Sequence, residues 1–250
     1  MTTAGSSPSG HIDIGGIISE ATDTWKKAFA TIWVIALILY IPVAILGYFA
    51  TKSMIINIIY AIAALVVSLY LQGVLSRIVQ DVREDGRVDW SVGELLKSIN
   101  PKLLPLLGLS IVVGILVTIG LIFFIIPGVI LALMWLVAVP VMIIEDKGVF
   151  DSMSRSGELT KSNRWRLLGL IIVIYIGVFV VFFIAGLIAA VLPILGVIAV
   201  IVLAVIVYPW LGVVAPTAYY ALLGSKGEVA GTMPAPGTAH PGGEPPAPAA

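Results

Sequence analysis

The chain has 250 residues, of which 60% are hydrophobic and 11% charged, with a formal net charge of zero and no cysteine. Soluble domains carry roughly 25% charged residues, so a mean hydropathy of +1.11 excludes a water-soluble fold, and the absence of cysteine excludes disulfides, thiolate metal sites and cysteine nucleophiles. The zero net charge is silent about partners, because the charges are segregated along the chain.

Residues 1–10 are small and polar and are expected to be disordered. From Ile14 the chain takes on helical periodicity: Ile14, Ile17, Ile18, Ala21 and Trp25 recur at three-to-four spacing before Lys26 and Lys27. Gly15 and Gly16 read as the start of that helix. A helix of about 20 apolar residues spans the roughly 30 Å hydrocarbon core of a bilayer. Two such runs follow, Phe29 to Phe49 and Ile55 to Val74.

A second amphipathic segment opens with Ser91 and Glu94 at capping-box spacing, with Trp90 and Leu95 placed as a hydrophobic staple, and closes on Asn100, Pro101 and Lys102. It leads into spans at Leu106 to Ile126 and Val129 to Ile144. The latter rises only about 24 Å at 1.5 Å per residue, so it needs Pro127, Gly128 and Glu145 at the interfaces or a thinned bilayer; a re-entrant arm is the alternative. The third amphipathic segment starts with Asp151 as N-cap and ends at Asn163, Arg164, Trp165 and Arg166, before spans Leu167 to Val191 and Ile194 to Val213 and a helical tail reaching Leu223. The unit, repeated three times, is an interfacial helix followed by a membrane hairpin. Such helices are expected to lie in the headgroup plane, with Trp25, Trp90 and Trp165 at belt depth.

Thirteen of the fourteen Lys and Arg residues fall in the segments before, between and after the hairpins, and Lys52 at the first tip is the exception. The positive-inside rule therefore places both termini and both long loops in the cytoplasm, in a multi-pass plasma-membrane protein. With no basic n-region before it, span one reads as an uncleaved anchor. Beyond Lys226, 15 of the last 20 residues are Pro, Ala or Gly, a composition that does not fold. The expected organisation is a disordered segment 1–10, a six-helix membrane domain 11–224 and a disordered tail 225–250.

No catalytic motif is present. His11 and His240 are the two histidines and have no paired spacing or carboxylate cluster, so neither a metal nor a cofactor is expected. The assigned spans contain no Asp, Glu, Lys, Arg or His, which argues against an ion-coupled pump or voltage sensor. Ser110, Gly114 and Thr118 form a small-residue stripe, as do Ala185 with Ala189 and Gly186 with Ala190, and these are expected to pack against neighbouring helices. Pro140 and Pro209 read as kinks.

Ile126-Pro127-Gly128, Trp135, Pro140, Glu145, Asp151, Arg155-Ser156, Glu158-Leu159-Thr160 and Arg164-Trp165-Arg166-Leu167-Leu168-Gly169 together resemble the membrane domain of glycerophosphoryl diester phosphodiesterases and the stand-alone bacterial membrane proteins that share it, best over about Gly86 to Gly169. The resemblance implies a six-helix integral membrane domain. In the phosphodiesterase members hydrolysis belongs to a separate soluble barrel that is not read here, so no catalytic residue is carried over.

The cytoplasmic loop from Glu145 to Arg166 is the richest in function-bearing side chains. A ladder of local ion pairs, Arg155 with Glu158 and Glu158 with Lys161, is one account of it. The other assigns Arg155, Arg164, Trp165 and Arg166 to lipid phosphate or an acidic partner. The expectation is an all-α polytopic membrane protein without enzymatic activity, organising or regulating lipid-associated or envelope processes through its cytoplasmic loops. Its partners would be membrane lipids and a membrane or cytoplasmic protein, and not nucleic acid. A transporter or lipid-translocating protein is the alternative.

Overall fold

The computed structural model describes residues 10–51 and 53–228. The expected disordered segments, His240 and Lys52 therefore lie outside the described residues, except for Gly10 and 225–228. A backbone in hydrocarbon must satisfy its own N–H and C=O groups, and the described chain is accordingly helical throughout its apolar runs. The helices are α1 (Ile14–Lys27), α2 (Phe29–Ala50), α3 (Met54–Asp85), α4 (Val92–Ile99), α5 (Leu103–Phe123), α6 (Ile125–Met134), α7 (Ala138–Ile144), α8 (Val149–Thr160), α9 (Arg164–Val191) and α10 (Pro193–Ser225). Among the described residues six stretches are long and apolar enough to cross a membrane.

Two helices outrun the bilayer. α3 has 32 residues and α10 has 33, about 50 Å each at 1.5 Å per residue, so roughly a third of each stands beyond the hydrocarbon as a pillar. The short helices pack around these pillars: α1 on α10, α9 and α3, α4 on α3, and α8 on α5, α6, α7 and α10. The apolar face of α1 thus closes on protein, with Ile17 and Ala21 fully buried. Trp90 is likewise buried, joining Leu95 and Ile99 in a core with Val74, Ile78 and Val82 of α3. Of the three tryptophans expected at belt depth, only Trp165 is bare, 83% exposed.

Local signals explain several helix ends. Ser91 and Glu94 form the reciprocal capping box. Asp13 accepts from the N–H groups of Gly15 and Gly16 and so caps α1, a role the sequence reading did not assign to it. α3 ends on Gly86 at φ +89°, a left-handed conformation that costs glycine nothing and other residues about 1 kcal/mol. α8 begins three residues earlier than expected, with Gly148 as N-cap, and Asp151 lies in its first turn, where a carboxylate complements the helix dipole.

The fourth span is broken. Its helix starts at Ile125, earlier than expected, and the 20 residues to Ile144 are interrupted at Trp135–Val137, between α6 and α7. Pro140 is the cause: it has no N–H for the carbonyl of Leu136 and would collide with it in a continuous helix, whereas in the first turn of a new helix its missing donor is harmless. A kink was the expectation at Pro140, and a break is found. At Pro209 the helix runs on.

Both buried cores sit at the end of the bundle that carries the charged loops, one around Leu75 and Ile78, the other around Leu167, Leu170 and Tyr219. Toward the hairpin tips the helices present their apolar side chains outward. At the second tip Ile122, Phe123, Phe124, Ile125 and Ile126 are all about 70% exposed or more.

The small-residue stripes divide. Ala185 is buried, but Gly114 is exposed and a Cβ placed on it would meet nothing within 4 Å, as is also true of Gly186. The close approach in the second hairpin is instead made by Gly120 and Gly128. A Cβ on Gly120 would lie 2.9 Å from the Gly128 Cα, and one on Gly128 would lie 2.5 Å from the Leu121 nitrogen. Backbone cannot give way as a side chain does, so Gly128→Leu is expected to destabilise the bundle by about 1–3 kcal/mol or more. Gly114→Leu should stay within about 0.5 kcal/mol of the parent. Thermal unfolding in detergent compares the two.

Candidate functional site

The charged end is knit by polar side chains that bridge segments distant in sequence. Asn163, in the turn between α8 and α9, accepts from the Ile12 N–H at 3.1 Å and donates to Ser225 Oγ at 3.3 Å. Arg166 Nη1 donates to the Ile12 carbonyl at 2.9 Å. The chain before α1 and the end of α10 are thereby fastened to the same turn. Elsewhere Asp81 accepts from the N–H groups of Asp89 and Trp90 at 2.8 and 3.4 Å, and Trp210 Nε1 donates to Thr22 Oγ1 at 3.1 Å. Arg83 pairs with Glu20 and lies over the Tyr220 ring, 4.5 Å from its centroid.

Glu145, just past α7, is the hub of the third loop. Arg155 Nε donates to its Oε1 and Oε2 at 3.2 and 3.3 Å, the Tyr219 hydroxyl to Oε1 at 2.9 Å, and Lys147 Nζ lies 3.0 Å from Oε2. Arg155 also pairs with Glu228 just beyond α10. The hydrogen bond to Glu228, joined by the Glu145 charge and opposed by burial, holds the Arg155 guanidinium above its ordinary pKa, and the same bond holds the Glu228 carboxyl below the usual range. Of the expected local ladder, Arg155 and Glu158 approach only to 3.9 Å. Among the described residues no three His, Cys, Asp or Glu side chains gather as a metal site would require, and the ring of donors around Glu145 is cationic or phenolic.

α8 also seals the broken span. Ser156 Oγ donates to the Met134 carbonyl at 2.8 Å and Thr160 Oγ1 reaches it at 3.3 Å. Ser152, Ser156 and Thr160 are fully buried, one turn apart on the face of α8 turned to α6 and α7. A hydroxyl stripe on an inward face is the opposite of what an interfacial helix ordinarily buries, and its explanation is the carbonyl freed at the break.

The four residues singled out in the sequence thus separate. Arg155 lies in the Glu145 and Glu228 network, and Arg166 on the Ile12 carbonyl. Arg164 has its Nε buried with no hydrogen-bond partner. Trp165 projects from the first turn of α9, which has no side-chain cap because the Asn163 amide is bound elsewhere. The roles of Glu228, Tyr219 and Asn163 were missed; Tyr219 lies inside α10, Glu228 just beyond it and Asn163 in the turn before α9, and no spacing pattern links them to their partners.

A second feature lies within the membrane. α2, α3 and α10 line a cavity of about 570 Å³ with mostly aromatic and aliphatic side chains, among them Trp33, Tyr40, Leu71 and Tyr208, together with Ser68 and Gln72.

Residues 109–214 match the family described as the membrane domain of glycerophosphoryl diester phosphodiesterase. The match runs from the middle of α5 to α10 and takes in the broken span, α8 and the Arg164–Arg166 turn. No curated protein and no solved structure matches the chain. The family match and the six apolar helices make this an integral membrane protein.

Arg155→Gln would take its partner from Glu228 and leave Glu145, 14% exposed, with only Tyr219 and Lys147, and is expected to lower stability in detergent by about 2–3 kcal/mol, the scale of charged hydrogen bonds. Acid should release the chain after α10 selectively. Because the Glu228 pKa is depressed, its tether is complete at neutral pH and is lost as pH falls through the lowered value, below the ordinary carboxylate value of about 4. Hydrogen exchange at residues 224–228 should therefore show protection that collapses in acid in the parent and is already weak at pH 7 in Glu228→Gln.

Proposed function

We propose that the chain is a non-enzymatic component of the bacterial plasma membrane, with both termini in the cytoplasm, that organises or regulates a lipid-associated or envelope process from its charged face. In this reading the turn between α8 and α9 is its contact with anionic lipid. The observation that carries the reading is the pairing of an exposed Trp165 with an Arg164 whose buried Nε has no protein acceptor. An indole at the bilayer boundary settles at headgroup and glycerol depth. A lipid phosphate beside it would accept from the guanidinium and from the uncapped N–H groups opening α9, where the helix dipole favours an anion. Arg166 fastens this turn to the Ile12 carbonyl.

Orientation rests on the distribution of Lys and Arg. Translocation of a substrate has weaker support. The one interrupted span has its freed Met134 carbonyl met by Ser156 and Thr160, which leaves it no vacancy for a transported group, whereas broken helices in transporters use such carbonyls for their cargo.

The test is mass spectrometry of lipids retained in native discs by the parent, by Arg164→Gln with Trp165→Ala, and by Arg155→Gln. Anionic lipid should fall about ten- to a hundredfold in the double variant, the weight of one charged hydrogen bond. An unchanged lipid profile would overturn the proposal. Topology is checked separately with Ser162→Cys in this cysteine-free chain: labelling should require permeabilised cells, and labelling of intact cells would reverse the orientation.

A further inference from the structure

The cavity between α2, α3 and α10 has a definite height and depth. It extends from Trp33 to Tyr40 on α2, from Leu75 back to Ser68 on α3 and from Ala215 back to Tyr208 on α10. Each interval is seven residues, about 10 Å of helix, so the three walls are matched in height. The shallow end lies next to the charged boundary: Trp33 is four residues into α2, and Leu75 is two residues before Arg77. The cavity therefore occupies the half of the membrane nearest the charged loops, from the glycerol level into the first carbons of the acyl chains.

One polar group at the shallow end is unsatisfied. The indole Nε1 of Trp33 is buried and has no hydrogen-bond partner, although buried tryptophans ordinarily find an acceptor. Hydrocarbon cannot supply one and water is scarce at that depth. The acceptors native to that level of a bilayer are the ester carbonyls that join fatty acids to glycerol.

We propose that the cavity between α2, α3 and α10 is a binding site for one diacyl glycerolipid of the leaflet at the charged end, with an ester carbonyl accepting from Trp33 Nε1 and the acyl chain running toward Tyr40 and Tyr208. A volume of about 570 Å³ falls within the range of ordinary small-molecule sites, about 300–1,000 Å³. The site discriminates by linkage and not by headgroup, and it shares no residue with the Arg164 and Trp165 turn on α9, so each stands or falls without the other.

The experiment titrates detergent-solubilised protein with diacyl phosphatidylglycerol and with its dialkyl ether counterpart, which carries the same headgroup without carbonyls, and reads bound lipid by native mass spectrometry. The parent should prefer the ester by about three- to tenfold, the weight of one hydrogen bond. Trp33→Phe keeps the ring, loses the donor and should bind both lipids alike. Ala36→Phe, which fills the cavity, should weaken both. Equal binding of ester and ether by the parent, a preference that survives Trp33→Phe, or ester binding unaffected by Ala36→Phe would each overturn the proposal.

Discussion

Hydrocarbon offers no hydrogen bonds, and the arrangement of this protein follows from that constraint. Each polar group must be satisfied by its own helix, by a neighbouring segment, or at the edge where water and headgroups begin. The apolar runs accordingly close their backbone bonds within themselves, and the charged side chains collect at one end. Among the described residues the single place where a membrane span opens, at Trp135–Val137, is the place where a polar helix comes in to meet it. α8 is in this sense a plug as well as an interfacial helix: Ser156 and Thr160 meet the Met134 carbonyl, which the break leaves without a helical donor as the Ala138 N–H turns to Trp135.

The same constraint distributes rigidity. At the charged end the helices are packed and cross-linked: Asn163 fastens the two ends of the described chain to one turn, and Glu145 draws together α8, α10 and the residues after α7. Away from that end the helices contact lipid over most of their surface, and lipid is as apolar as leucine, so there is little hydrophobic drive to hold them together. The cavity between α2, α3 and α10 opens where these two regions meet, with Leu75 of the packed core at its shallow end and Tyr40 and Tyr208 at its deep end. A molecule built this way keeps its charged face in register while its membrane half can admit a lipid between helices.

The spans, the three amphipathic segments and the Ser91 cap were all legible in the residues, because each is written in a short local pattern whose period or spacing has one physical meaning. What was not legible depended on distance. Nothing near Gly114 says that its face of α5 looks outward, and nothing near Gly120 announces Gly128 as its neighbour, since two stripes of small residues look alike until the helices are placed. The Arg155 network was named in part: Glu145 stood in the same loop, but Tyr219 and Glu228 are 74 and 73 residues away from their partners. The length of α3 and α10 beyond the bilayer was the further hidden variable. Once pillars stand there, amphipathic helices find protein to cover before they find lipid, which is why Trp90 is buried and Trp165 is not.

The bare apolar tip from Ile122 to Ile126 bears on how such a chain enters a membrane. A hairpin that inserts as a pair must carry its tip across the bilayer, and a Lys, Arg or Asp at the centre of a span adds about 2.5–3.5 kcal/mol each to insertion. The second and third tips carry no charge, and the first has only Lys52. Each hairpin can therefore slide in from the side on which its basic flanks remain, with no charged segment to drag through. Biogenesis then becomes three successive insertions of the same kind, in the order of synthesis, each halted by the lysines and arginines that follow.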